Sequence, residues 1–336
     1  MHHAASPRSP SFSTPLATLL AASLAGGCFG SNALPGASDA HVAATAVAPG
    51  PGEKPVCAGR SKQPTNTTWS VDVGGKAREF VVHVPPTYDP SHPTPVVLSF
   101  HGYHMGPKLQ EWLTSMSTKS DAAGFLLVYP RGTGSPASFN AGACCGDAAR
   151  DGTDDVAFTR AMLDRLEADL CVDPRRVFAT GMSNGGFMSH RLACEMSDRI
   201  AAVAPVAGVN GVAECNPTRP VPVLHFHGTD DPTIPYAGNA ERKWRSVKES
   251  TQGWVARNAC KAPPVETLAR GNVHCVTYGE CKDGADVTLC TVTGGGHTWP
   301  GGADIPGIVG QGMTTHDVQA DDVIWTFFEN HPMPAR

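Results

Sequence analysis

The stretch RRVFATGMSNGGFMSHRLAC, residues 175–194, joins an apolar run to an amphipathic run through a serine flanked by glycines. The apolar run RRVFATG (175–181) predicts a strand buried on both faces, as strands of parallel sheets are. The residues from Gly185 onward predict a helix. Between them, GMSNG (181–185) has the G-x-S-x-G spacing of a sharp strand-to-helix turn. We therefore expect the hydroxyl of Ser183 to act as a nucleophile on this turn, beside the positive end of the helix dipole.

Apolar and amphipathic segments alternate over most of the chain. TPVVLSFHG (94–102), GFLLVYP (124–130) and VPVLHFHG (221–228) predict buried strands. The spacing of apolar residues in 109–123 predicts one helix, and DDVAFTRAMLDRLEADL (154–170) predicts another, with acidic residues in its first turn. This alternation predicts an α/β fold: a doubly wound, mostly parallel sheet with helices on both faces, in a single domain.

A serine hydroxyl is a poor nucleophile at neutral pH and needs a base, which in turn needs an orienting acid. Two later strands end in suitable residues. VLHFHGTDDPTIPY (223–236) carries Asp230 and Asp231 after its strand, and TVTGGGHTWPGG (291–302) carries His297 after three glycines. Because the carboxyl ends of parallel strands lie along one edge of a sheet, we expect His297 as the base. Asp231 is the expected acid, and Asp230 is the alternative.

The negative oxygen that forms during attack on a carbonyl needs two backbone N–H donors. The residue after the nucleophile, Asn184, supplies the first expected donor. The loop SFHGYH (99–104) follows an early strand, and we expect the second donor to be Tyr103, with Gly102 as the alternative. The ring of His101 is expected to brace this loop, and His101 and Gly102 are also candidates for contact with a substrate.

Six motifs together resemble one known family. They are FHGY, FNAGACCG, DDVAFTRAMLDRL, CVDPRRVFATGMSNGGFMSHRLAC, HGTDDPTIPY and GGGHTWPGG. From about residue 78 to residue 332, the chain resembles the extracellular polyhydroxybutyrate depolymerase and feruloyl esterase family of α/β hydrolases. The resemblance implies the α/β-hydrolase fold and a serine esterase with Ser183 as nucleophile, Asp231 as acid and His297 as base.

The resemblance also implies an active-site mouth near Asn140 and Trp299. Trp299 follows the expected base by two residues, so we expect its ring to contact a flat acyl group or a polyester chain. The alternative is that it only anchors its loop. Tyr103 and Trp112 are weaker candidates for the same wall. The Gly- and Pro-rich segment 300–312 predicts either a mobile lid or a plain surface loop.

These features predict a secreted serine esterase that forms an acyl-enzyme. The resemblance implies feruloyl or acetyl esters of plant polysaccharide, or short hydroxyalkanoate polyester oligomers, as substrates. No segment outside the predicted catalytic domain reads as a polymer-binding module, which favours small or oligomeric esters over insoluble polymer. The alternatives are a polyhydroxybutyrate depolymerase acting on polymer, an acyltransferase on the same scaffold, and a non-catalytic binding protein.

The composition is that of an ordinary globular protein: 336 residues, 17% charged, with a net charge of −5. Lysine and arginine are spread along the chain, so we expect no nucleic-acid partner. We expect a monomer that needs no cofactor.

The N-terminal residues predict export. The run LATLLAASLAGG (16–27) is too short for a membrane span and ends in small residues, so residues 1–27 predict a signal peptide. LAGGC also resembles a bacterial lipobox, although Ala25 stands where that pattern has leucine. Lipidation of Cys28 and attachment to a membrane therefore stay open. Residues 28–56 predict a flexible tether, and residues 57–336 a catalytic domain, extracellular, periplasmic or on the cell surface.

Cysteine content agrees with export. Setting Cys28 aside leaves ten of the 11 cysteines, and an even number in an exported chain predicts disulfides. None of their spacings fits a zinc site. His225 and His227 lie on one face of a strand but have no evident third ligand, so we expect packing and no metal. The predicted pairs are Cys194–Cys215, Cys260–Cys281 and Cys275–Cys290.

Overall fold

A computed structural model describes residues 57–304 and 312–335, all of which belong to one compact unit. The predicted signal peptide, the tether with Cys28 and most of the predicted lid lie outside the described residues. The strands are β1 (Thr67–Val73), β2 (Lys76–His83), β3 (Thr94–Phe100), β4 (Leu126–Pro130), β5 (Val172–Met182), β6 (Ala202–Val206), β7 (Val223–Gly228), β8 (Val265–Arg270), β9 (Val273–Tyr278) and β10 (Val287–Val292). The α-helices are α1 (Pro107–Thr114), α2 (Met116–Ala123), α3 (Gly146–Arg150), α4 (Asp155–Asp169), α5 (Asn184–Glu195), α6 (Val247–Arg257) and α7 (Ala320–Glu329).

The strands form one sheet in the order β1-β2-β4-β3-β5-β6-β7-β10-β9-β8. The six strands from β4 to β10 in this order pair in parallel, and antiparallel strands extend the sheet at both edges. Every residue of β3, β4, β6 and β7 is buried, which is why these segments are mostly apolar. The predicted mostly parallel α/β-hydrolase sheet is confirmed.

Helices cover both faces of the sheet. Successive side chains of a strand point to opposite faces, and the neighbours Val177 and Phe178 of β5 accordingly belong to different core clusters. The cluster around Val177 takes apolar residues from α4, α5 and α6. The cluster around Phe178 takes them from α1, α2 and α7, and Phe178 stacks on Phe328 with ring centroids 4.6 Å apart. The helices therefore cover the two faces of the sheet, and the ends of the strands lie outside these two layers.

Two local predictions need correction. The single helix expected over 109–123 is two helices, because Ser115 lies between them in the left-handed conformation (φ 54°, ψ 24°). The strands β1 and β8 were not predicted, since neither contains a fully buried residue or a continuous apolar run. None of the helices in the described part of the chain is long and apolar enough to cross a membrane.

The three predicted disulfides, Cys194–Cys215, Cys260–Cys281 and Cys275–Cys290, are confirmed. Two further pairs are present. Cys57 pairs with Cys171, and the neighbours Cys144 and Cys145 pair with each other. The first ties the start of the described domain to the residue preceding β5, 114 positions away, which no local pattern indicates.

Candidate active site

Ser183 lies on the expected turn between β5, which ends at Met182, and α5, which begins at Asn184. Its backbone angles are φ 56° and ψ −120°, a region that costs a non-glycine residue on the order of 1–3 kcal/mol. Two hydrogen bonds hold the conformation. The Ser183 N–H donates to the Val206 carbonyl at 2.9 Å, and the Phe187 N–H donates to the Ser183 carbonyl at 3.0 Å. Ser183 is partly exposed while both its neighbours are buried.

The glycines around this turn are required by close backbone contacts. A Cβ on Gly181 or Gly185 would collide with the carbonyl oxygen of Phe100 at the end of β3. A Cβ on Gly208 would lie 2.6 Å from the Ser183 carbonyl oxygen. Real Cβ atoms do not approach so closely, so larger residues would push apart the elements that hold the serine.

Asn184 joins the turn to a neighbouring loop. Its side chain is fully buried. The Oδ1 atom accepts a hydrogen bond from the Phe139 N–H at 2.7 Å, and Nδ2 donates to the Phe139 carbonyl at 2.9 Å. As the first residue of α5, Asn184 also has a backbone N–H that precedes the helix's own hydrogen bonds. Sequence reasoning addressed only this N–H, because the partner of the side chain lies 45 positions away.

Asp231 and His297 form a buried pair. The His297 Nδ1 donates to Asp231 Oδ2 at 2.7 Å, and each residue is 4% exposed. The other carboxylate oxygen, Oδ1, accepts from the N–H groups of Thr233 and Ile234, both at 2.8 Å. A proton on Nδ1 leaves the lone pair of the neutral ring on Nε2. The pair is therefore built to present a basic Nε2.

Asp230 has a different environment. It is exposed, its carboxylate accepts from the Thr229 hydroxyl at 2.9 Å, and its N–H donates to the Gly295 carbonyl at 3.0 Å. Asp230 thus closes the loop, while Asp231 bonds the imidazole. This geometry favours Asp231 over Asp230 as the partner of His297.

A glycine-rich loop carries His297 back over the end of β7. Gly294 has a φ of 70°, and its N–H donates to the Thr229 hydroxyl at 2.8 Å. A Cβ on Gly228 would collide with Gly295, so the two loops touch backbone to backbone. Ser183, Asp231 and His297 thus follow the carboxyl ends of β5, β7 and β10, which share one edge of the sheet.

The ring of His101 braces the loop after β3, as expected. It is fully buried; Nδ1 donates to the Gly102 carbonyl at 2.7 Å, and Nε2 accepts from the Gly132 N–H at 2.9 Å. Burial lowers the pKa of His101 to about 4, so the ring is neutral at physiological pH. Because both ring nitrogens are occupied, the geometry opposes the suggested contact of this ring with a substrate.

The loop after β3 lies against the serine. A Cβ on Gly102 would lie 3.5 Å from Ser183 Cβ. The Met105 N–H donates to the Gly102 carbonyl at 3.2 Å, which closes a tight turn with Tyr103 as its second residue. The N–H of a turn's second residue takes no part in that bond, so the turn does not use the Tyr103 N–H, which stays the predicted second donor. Tyr103 as a residue is 38% exposed.

The predicted substrate wall needs a correction at Trp299. This residue is 1% exposed and lies in the core, and its Nε1 donates to Asp321 Oδ1 at 3.0 Å. It anchors its loop, because a ring so deeply buried has no face left for a substrate. Asn140 is half-buried, and its Nδ2 donates to the Thr153 carbonyl at 2.9 Å. Trp112 on α1 is 52% exposed.

The fold and its strand–serine–helix turn are those of an α/β hydrolase. No family model matches the chain. Among curated proteins, feruloyl esterase B of Piromyces equi is 33% identical over 237 residues, covering 66% of this chain and 42% of the relative. Feruloyl esterase C of Emericella nidulans is 30% identical over 279 residues, covering 80% of this chain and 90% of the relative. The chain therefore belongs to the feruloyl esterase family.

Two further comparisons define the extent of the likeness. A bifunctional acetylxylan esterase/xylanase of Neocallimastix patriciarum is 28% identical over 70% of this chain. The chain spans 33% of the length of that relative and 42% of the length of feruloyl esterase B. Among solved structures, acetyl xylan esterase from Aspergillus awamori superposes with a TM-score of 0.57 at 16% identity, over 78% of this chain and 98% of that one. At this identity the superposition shows the fold alone.

Proposed function

We propose that this protein hydrolyses carboxylic esters through an acyl-enzyme formed on Ser183. The observation that carries the proposal is the buried 2.7 Å hydrogen bond from His297 Nδ1 to Asp231, at the sheet edge where the strained Ser183 turn also lies. Membership of the feruloyl esterase family supports the same reaction class.

In the proposed reaction, His297 Nε2 accepts the Ser183 proton as the hydroxyl oxygen attacks the ester carbonyl carbon. The carbonyl oxygen becomes negative and is stabilised by the N–H groups of Asn184 and Tyr103. The imidazolium then gives its proton to the leaving alcohol as the C–O bond breaks. Water repeats the sequence on the acyl-serine and releases the acid. The Asp231 carboxylate holds the ring orientation and stabilises the imidazolium in both halves of the cycle.

We propose feruloyl or acetyl esters of plant polysaccharide as the substrates. The names of the relatives support this choice, since they include feruloyl esterases and an acetylxylan esterase. With Trp299 in the core, the exposed residue Tyr103 supports contact with a planar acyl group, because its neighbour Gly102 lies against Ser183.

We also propose that the protein is exported. Five disulfides among the described residues support an oxidising compartment. Cleavage before Cys28 and lipidation of that residue stay predictions from the sequence. An intact-mass measurement of the mature protein checks both, since a processed chain lacks residues 1–27 and a lipidated one carries added acyl mass.

Side-by-side hydrolysis of methyl ferulate, acetylated xylan oligomers and hydroxybutyrate oligomers tests the proposal. We expect the wild type to prefer the first two, and Ser183→Ala to lose on the order of 10⁴-fold or more in kcat. Ser189→Ala is a matched control on the same helix, because its hydroxyl bonds only the Gly185 carbonyl at 2.9 Å. Preference for hydroxybutyrate oligomers would contradict the proposed substrate class. A folded wild type that is inactive on all three substrates would contradict the proposed esterase activity.

A further inference from the structure

Three buried histidines lie in a row behind Asp231. His225 and His227 are on one face of β7, because side chains two positions apart on a strand point the same way. His190 on α5 faces His225, with ring centroids 5.4 Å apart. All three are at most 1% exposed. Buried polar groups are normally hydrogen-bonded, so each of these three rings is expected to have partners.

The Ile234 carbonyl fixes the proton on His227. Its oxygen lies 2.8 Å from His227 Nε2, and a carbonyl can only accept, so Nε2 carries the hydrogen. The same Nε2 lies 3.4 Å from Asp231 Oδ2. His227 Nδ1 is then an acceptor, and His225 Nε2 donates to it at 3.1 Å. The chain of bonds therefore directs the His227 N–H to the Ile234 carbonyl and leaves Nε2 close to the Asp231 carboxylate.

The row carries no positive charge at neutral pH. Burial lowers the pKa of His225 and His227, and it lowers that of His190 to about 3, with the Gly208 carbonyl acting in the opposite direction. His190 Nδ1 accepts from the Trp254 Nε1 at 3.0 Å. The Nδ1 of His225 has no hydrogen-bond partner among the described residues.

We propose that His227 is a positioning residue for the Asp231–His297 pair, an inference that rests on the proposed esterase function. His227 donates to the Ile234 carbonyl, and the Ile234 N–H donates to Asp231 Oδ1, so the ring braces the turn that holds the carboxylate. Its Nε2 also lies 3.4 Å from Oδ2, the oxygen that His297 bonds. His227 thereby fixes the carboxylate plane and places the positive end of a dipole beside the site where His297 acquires its charge.

Removal of the His227 N–H has an expected direction that follows from this proximity. Without it, the Asp231 carboxylate loses a partial positive charge close to Oδ2 and attracts the protonated His297 ring more strongly, so the acid limb of the activity profile moves to higher pH. Other ionisable groups around the row come from each packed element. They are Asp231 and Tyr236 from the loop after β7, His297 from the loop after β10, and Arg245 and Arg257 around His190.

The test compares His227→Phe, which removes the N–H, with His227→Gln, whose amide nitrogen reaches a similar position. In His227→Phe, we expect the acid limb of the kcat/KM profile to move up by about 0.5–1 pH unit, the effect of removing a partial positive charge 3.4 Å from an ionised group. We expect kcat at pH 6 to fall several-fold with KM little changed. His227→Gln restores the limb. His190→Phe, equally buried but without contact to Asp231, lowers the Tm and leaves the limb in place.

An unmoved limb in folded His227→Phe, or an equal movement in His190→Phe, overturns the proposal. A second measurement needs neither a variant nor a substrate. Nitrogen-15 NMR of the histidine rings in the wild type is expected to show His227 with its proton on Nε2, and a proton on Nδ1 overturns the proposal. If the wild type hydrolysed no ester, the proposed function would be contradicted. The NMR measurement would still show which ring nitrogen of His227 carries the proton.

Discussion

Replacing Asp231 with asparagine changes one atom at the centre of the proposed site. The backbone N–H groups of Thr233 and Ile234, each 2.8 Å from Oδ1, can bond only the amide oxygen. The amide NH₂ group must then take the place of Oδ2 and face His297 Nδ1, now 2.7 Å from that oxygen. Because an amide nitrogen only donates, Nδ1 has to accept and its proton moves to Nε2. The ring then has no lone pair to offer Ser183.

The cost of this wrong tautomer is large. In serine hydrolases with the same arrangement, the Asp-to-Asn change lowers kcat about 10⁴-fold, which corresponds to about 5.4 kcal/mol of barrier. We expect a similar loss in Asp231→Asn, with KM little changed because the carboxylate is buried and bonds only protein groups. Initial rates on methyl ferulate give both constants, and thermal unfolding verifies the fold.

The neighbouring Asp230→Asn is the matched control. Its carboxylate is exposed and bonds the Thr229 hydroxyl, so we expect kcat within about twofold of the wild type. The reasoning is refuted when folded Asp231→Asn keeps more than a tenth of the wild-type kcat, or when Asp230→Asn loses as much as Asp231→Asn.

Three further changes have expected outcomes. Burial raises the pKa of Asp321 to about 7, above its unfolded value, so the stability that this group contributes is lost as pH rises from about 4 to 7. Asp321→Asn should therefore gain about 1–2 kcal/mol over the wild type at pH 8 and none at pH 4, measured by urea unfolding; an equal gain at both values would contradict this. Gly185→Ala, which drives a Cβ into the Phe100 carbonyl, should cost about 3 kcal/mol in the same assay, and an unchanged midpoint would refute the clash. Asn184→Ala should lose about 1–3 kcal/mol of stability with its two bonds to Phe139, and a Tm equal to the wild type's would contradict that.

The sequence predicts best where the structural cause is local. The turn at Ser183 combines an apolar strand, flanking glycines and an amphipathic helix within twenty residues, and each signal has its physical reason nearby. The buried parallel strands were also predictable, since burial on both faces makes them continuously apolar. The left-handed Ser115 that divides 109–123 into two helices was not, because neither neighbouring segment breaks the helical spacing.

Features that depend on distant contacts were out of reach. Asp230 and Asp231 are adjacent residues of the same type, so the sequence does not distinguish them. In the fold, Asp231 bonds the His297 imidazole and Asp230 is exposed to solvent. Trp299 in a Gly-rich loop looks exposed, yet the loop turns its ring into the core under α7. The row of three histidines forms because α5 brings His190 to His225 on β7. The strand pattern around His225 and His227 gives no indication of that contact.

The central claim is that Ser183 is a nucleophile activated by His297. Labelling of the folded protein with a fluorophosphonate probe tests it most directly, with the labelled residue located by mass spectrometry of the digested chain. The account predicts one phosphonate on Ser183 in the wild type and a labelling rate reduced by about 10³-fold or more in His297→Gln. A wild-type Ser183 that stays unlabelled, or a His297→Gln variant labelled as fast as the wild type, would contradict it.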